Sequence, residues 1–106
     1  MGKYIFDQFT FLHFSVGVII YFWGINLSTW VIIHTLFEIL ENTNYGMFFI
    51  NNYLTLWPGN KPISDTFINS FGDTIGAVFG WLTARYIDRL GIKMNWYGLH
   101  LNTNIK

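Results

Sequence analysis

The chain has 106 residues, enough for one domain, and its Lys+Arg and Asp+Glu counts balance at zero net charge. Only 11% of residues are charged while 52% are hydrophobic and 21% aromatic, so a soluble domain of this size would have too few charges to cover its surface. Zero net charge without a basic run gives no pointer to nucleic acid as a partner, and the lack of cysteine excludes disulfides, thiolate metal sites and cysteine nucleophiles.

Taken in order, the first candidate element is Phe9 to Ile25, FTFLHFSVGVIIYFWGI, near the lower length limit for a membrane-spanning helix. Lys3 precedes it, but no small-residue cleavage site follows, so a retained span is expected rather than a signal peptide. Turn chemistry at Gly24 to Ser28 leads to a second apolar element over 29–42, with Ser28 as the expected N-cap and with His34, Glu38 and Glu41 inside it. Residues 44–63 mix Phe48, Phe49, Tyr53 and Trp57 with Asn51, Asn52 and a Pro-Gly turn, which predicts an interfacial or re-entrant loop. A third span is expected over 64–86, and Trp96 and Tyr97 would anchor an interfacial tail over 90–106.

The expected fold class is therefore all-α: one small polytopic membrane domain of about three transmembrane helices with an interfacial aromatic loop. Arg85, Arg89, Lys93 and Lys106 after the third span would place the C-terminus on the cytoplasmic side.

Spacing gathers the ionisable residues. His34, Glu38 and Glu41 lie four and three apart, on one helix face, and Asp65, Asn69 and Asp73 repeat every four on another. Gly72, Gly76 and Gly80 continue that second stripe as G-x-x-x-G-x-x-x-G, which suits close helix packing. His13 in the first element would reach the same level. No Lys or Arg lies within the three spans before Arg85, so protons, solvent or a bound cation must neutralise the acids.

Pocket candidates are thus Glu38, Glu41, Asp73, Asn69, Asp65, His34 and His13, with Glu38, Asp73 and His34 as candidate ligands of a divalent cation. The bland readings are that Asp65 caps the third helix, that Asp7 is an interfacial charge, that His13 is a hydrogen-bonded structural residue and that His100 has no role. Two functions follow, beside a third and less favoured class, a soluble, very aromatic protein buried in a complex. One is an outer-leaflet pocket for a cation or polar lipid headgroup, where the same groups would suit general acid–base chemistry. The other is a structural accessory of a larger membrane assembly, with membrane lipids, other membrane subunits or further copies of the chain as partners.

FEILENT (Phe37 to Thr43), followed by SDTFINSFGDTIGAVFGWLTAR (Ser64 to Arg85), resembles an uncharacterised bacterial membrane family, domain of unknown function 2585. That family has W-E-x-x-E-N-T and then D-S-x-x-N-S-x-S-D-T-x-x-x-x-x-G. The matching positions are Glu38, Glu41, Asn42, Thr43, Asp65, Asn69, Ser70, Asp73, Thr74 and Gly80, and His13-Phe14 is similar to a His in the family's preceding helix. The likeness covers roughly residues 7 to 87, with Phe37 in place of Trp and Gly72 in place of Ser. More loosely, the chain resembles VanZ-like membrane proteins, which are associated with glycopeptide resistance at the cell envelope. Both resemblances imply membrane helices carrying an acidic site, and neither implies a defined reaction.

Overall fold

Each helix begins at a side chain that satisfies its first free amides. In the computed structural model, which describes residues 2–57 and 61–97, α1 spans Gln8–Phe22, α2 Leu27–Glu41, α3 Asn44–Tyr53 and α4 Phe67–Lys93. Asp7 caps α1 by accepting from the Phe9 amide at 2.9 Å, and Thr10 returns the bond to the Asp7 amide at 3.0 Å. Asn26 caps α2, accepting from the Thr29 amide, so the cap lies two residues before the expected Ser28. Thr43 caps α3 and Thr66 caps α4; Asp65 does not cap the last helix. At the end of α1, Gly24 adopts φ 89° and the Ile25 amide reaches back to the Ile20 carbonyl. That left-handed closure stops the helix and turns the chain into α2.

These caps overturn the three-span reading. Among the described residues no helix is long and apolar enough to cross a membrane. Helices α1 and α2 have 15 residues each, about 22 Å of rise against about 30 Å of bilayer hydrocarbon. Helix α4 has length enough with 27 residues, but Asp73, Arg85, Asp88, Arg89 and Lys93 interrupt its apolar stretches. The expected spans over 9–25, 29–42 and 64–86 are therefore three shorter or more polar helices. The expected interfacial loop contains a regular helix, α3, and the first residues of the expected tail belong to α4. Because no described helix is long and apolar enough to cross a membrane, the outer-leaflet pocket, the membrane-accessory role and the cytoplasmic placement of the C-terminus, which all assumed three spans, are corrected with them. The Pro58-Gly59 turn, the tail beyond Tyr97 and His100 lie outside the described residues.

The core forms where α1 and α2 both lie on α4. Ile20, Tyr21, Trp30, Ala77, Trp81 and Ala84 make up the buried apolar cluster. Polar ends of the aromatics are all satisfied there. Trp30 donates its indole N–H to the Ala77 carbonyl at 3.0 Å, Trp81 to the Ile25 carbonyl at 2.9 Å, and the Tyr21 hydroxyl to Asp88 at 2.5 Å. Helix α1 approaches closest, because Gly17 faces the Ala77 carbonyl and Gly80 faces the Phe14 carbonyl with no room for a Cβ at either point. Gly76 meets Thr10 and Gly72 meets the Ile5 carbonyl in the same way. Elsewhere many large apolar residues remain exposed, Phe11, Trp23, Leu56 and Phe67 among them.

Two further tethers position what lies above the core. Asn51 on α3 grips the Lys61 backbone in both directions, accepting from its amide at 2.6 Å and donating to its carbonyl at 2.8 Å. Asn42 at the end of α2 accepts from the Asp65 amide at 2.7 Å. Together they bring residues 61–65 back over the α2–α4 junction.

Candidate metal centre

Four ionisable side chains from three helices converge in this junction. His13 comes from α1, His34 and Glu38 from successive turns of α2, and Asp73 from α4. His13 Nδ1 lies 2.8 Å from His34 Nε2. His13 Nε2 lies 3.3 Å from Asp73 Oδ2 and 3.6 Å from Glu38 Oε1, and His34 Nε2 lies 3.6 Å from the same Glu38 oxygen. His34, Glu38 and Asp73 are buried and His13 nearly so. Neither carboxyl oxygen of Glu38 makes a close hydrogen bond, although both are buried, and the Glu41 carboxyl is the neighbour that acts on it most.

The surrounding hydroxyls decide where the protons sit. Thr74 spends its hydroxyl hydrogen on the Ser70 carbonyl at 2.9 Å, so toward His34 Nδ1, 3.4 Å away, it acts as acceptor. His34 therefore carries its proton on Nδ1 and presents a bare Nε2. The short contact to that nitrogen then requires His13 to donate from Nδ1. On the other side Thr10 accepts from the Asp7 amide and donates to Asp73 Oδ1 at 3.0 Å, which fixes that carboxyl beside His13 Nε2.

Burial holds all four groups near neutrality. Loss of solvent, reinforced by the neighbouring His13, pushes His34 down to about 4 from 6.5. Loss of solvent also lowers His13, against the pull of Asp65 and Asp7. Asp73 rises to about 7 through burial, moderated by the Thr10 bond, with Asp7, Asp65 and Glu41 adding to the rise. Glu38 is raised by burial and then by Glu41, and Glu41 itself is raised by burial despite Lys61. The 3.3–3.6 Å imidazole–carboxyl approaches are thus not ion pairs around pH 7.

This has a measurable sign. Asp73 and Glu38 bind protons more tightly folded than unfolded, so their effect on stability falls as pH rises above their ordinary values of 3.8 and 4.5. His34 and His13 act oppositely, favouring the fold increasingly as pH rises toward 6.5. The two effects offset in mildly acidic solution, and above pH 6.5 only the acids remain. The metal-free chain should lose stability as pH rises above about 6.5, through the values at which Asp73 and then Glu38 ionise, with a slope up to about 1.4 kcal/mol per pH unit for each proton released. Urea melts across that range measure it; a rising curve would contradict the assignment.

A second group lies alongside. Glu38, Glu41 and Asp65 present ligand-type oxygens within 4.8 Å of one another. Here, however, a cation is already supplied, since Lys61 Nζ lies 2.7 Å from Asp65 Oδ1 and both are largely buried. This counter-charge is absent from the spans considered in the sequence, because it arrives from the segment beyond α3. Asn69 stands apart from both groups: its amide donates to the Tyr4 carbonyl at 2.8 Å and to Asp7 at 3.2 Å, holding the N-terminal segment on α4. Asp7 is a helix cap rather than an interfacial charge.

His13, His34, Asp73 and Asn69 also line a cleft of about 760 Å³ between α1 and α2, whose walls are otherwise mostly apolar. Asp88 lies in a different place, under Tyr21 and Tyr97, which bond its two oxygens at 2.5 Å each. Neither tyrosine nor Asp88 has a spacing signature, since Tyr21 and Asp88 are 67 positions apart. Comparisons with protein-family profiles, curated proteins and solved structures find no match to this chain.

Proposed function

We propose that the chain binds one divalent transition-metal ion, of the zinc type, through His13 Nδ1, His34 Nε2 and Glu38. The observation that carries this reading is the buried Glu38 carboxyl, which makes no close hydrogen bond and lies 3.6 Å from His34 Nε2, beside two imidazoles 2.8 Å apart. An ion at about 2.0–2.1 Å from each ligand would replace the proton between the imidazoles, and tetrahedral ligands at such distances stand about 3.3–3.5 Å apart. His34 Nε2 and Glu38 Oε1 already stand at 3.6 Å, and the 2.8 Å imidazole pair would widen to admit the ion. His13, His34 and Glu38 together offer ligand atoms all within 4.8 Å of one another.

The outer ring of partners supports the same ligand set. With Nδ1 on the ion, His13 carries its proton on Nε2, facing Asp73 Oδ2 at 3.3 Å. His34 keeps Nδ1–H toward Thr74. Each ligating imidazole thus has an acceptor for its other nitrogen, the arrangement that orients metal-bound histidines and raises their basicity. Two nitrogens and one carboxylate favour zinc, cobalt or iron(II) over calcium or magnesium. Three protein ligands leave a fourth position, as in catalytic rather than structural zinc sites.

Cobalt(II) titration followed by visible absorption tests the reading. One equivalent should produce the intense bands of a four-coordinate site, and zinc should bleach them. Asp73→Asn should weaken binding about 10–100-fold without abolishing the bands, as expected of a positioning residue. A wild-type titration giving only the faint spectrum of hydrated cobalt would refute it.

A further inference from the structure

The cleft beside this centre has a composition that specifies an occupant. Its polar lining includes His13, His34 and Asp73 of the centre together with Asn69 and the Lys61–Asp65 pair. To its apolar lining, α1 contributes Leu12, Val16 and Ile19 and α2 contributes Ile33 and Phe37. Both helices are held against α4, and between them the apolar faces do not close: Leu12, Val16 and Ile19 are 45%, 42% and 45% exposed, Ile33 and Phe37 43% and 41%. Apolar faces of two helices beside a group of polar side chains, enclosing about 760 Å³, fall within the size range of small-molecule sites.

We infer that this cleft takes an amphipathic small molecule, an apolar chain carrying an oxygen-donor head, with the head at the fourth position of the metal and the chain between α1 and α2. The inference rests on the metal reading above and deepens it. A wholly polar ligand would leave the walls wet. A wholly apolar one would strip the remaining water from His13 and leave the fourth position of the metal without a ligand. A head that ligates through oxygen suits an ion already holding two nitrogens and a carboxylate, and each chain methylene then gains from leaving water.

Hydroxamates of two lengths supply the test, since both chelate zinc through the same head. Zinc loading is established first by displacement of cobalt, and binding of acetohydroxamate and octanohydroxamate is then measured by calorimetry below the micellar concentration of the longer compound. The zinc-loaded wild type should bind octanohydroxamate at least 10-fold more tightly than acetohydroxamate. Ile19→Trp, on the cleft wall two turns from His13, should weaken octanohydroxamate at least fivefold and leave acetohydroxamate and cobalt affinity unchanged. Equal affinity for the two lengths, or an equal effect of Ile19→Trp on both, overturns the cleft assignment and leaves the metal site standing. Octanohydroxamate binding as tightly without zinc as with it also overturns it, because the chain would then be adsorbing to exposed apolar surface. A chain that takes up neither zinc nor cobalt overturns both readings.

Discussion

Replacing Glu38 with glutamine should abolish high-affinity zinc binding, by at least about 100-fold, while leaving the metal-free chain as stable as before or more so. The two effects have opposite sign for one reason. Glu38 is buried at 5% exposure with no close hydrogen bond to either carboxyl oxygen, and burial, reinforced by Glu41, holds its proton on near neutral pH. Without an ion, the glutamate therefore contributes a neutral carboxyl that glutamine reproduces in shape, and the unfolded chain alone benefits from its ionisation. With an ion, the anionic oxygen is a ligand, and a neutral amide cannot replace its charge. Above about pH 6.5 the variant should also lack much of the stability loss expected of the wild type. Thermal melts with and without zinc, together with calorimetric titration, separate these outcomes. A variant that binds zinc normally would remove Glu38 from the centre. One that melts far below the wild type without metal would mean that the carboxyl has a structural partner.

The second large effect concerns the α1–α4 seam. Gly80→Val is expected to unfold the chain or destabilise it by about 3 kcal/mol or more, the upper range for overpacking, because backbone rather than a movable side chain stands in the way. The Phe14 carbonyl occupies the place a Cβ at Gly80 would take, and α1 carries His13 one residue earlier. Gly80→Ala should show the same defect in milder form, with loss of metal affinity because His13 moves off α2 with its helix. Urea melts monitored by circular dichroism give the stability, and cobalt spectra give the second part. A stable Gly80→Val protein with normal spectra would show that α1 can lift from α4 without disturbing the centre.

Much of the candidate site is legible from spacing, because four-residue intervals fix helix faces whatever solvent surrounds them. His34 with Glu38 and Asn69 with Asp73 share faces for that reason, and the glycines at 72, 76 and 80 form a ridge. Hydropathy misleads where it counts apolar residues without locating helix ends. The caps at Asp7, Asn26, Thr43 and Thr66 are ordinary polar residues within an aromatic-rich chain, yet they cut the apolar stretches into helices with no membrane span among the described residues. Lys61 is illegible as the partner of Asp65 because its position depends on Asn51, ten residues earlier on α3. The tautomers of His13 and His34 are set by Thr74 across the α2–α4 interface, and no local pattern encodes that.

Trp30 binds the Ala77 carbonyl through its indole N–H and lies edge-on to His34, with ring centroids 5.4 Å apart. Its excited state therefore sits beside whatever charge His34 acquires, whether from a proton or from a metal. The fold carries its own optical gauge of the centre: light emitted by one buried indole reports the electrical state of its neighbour, with no label attached.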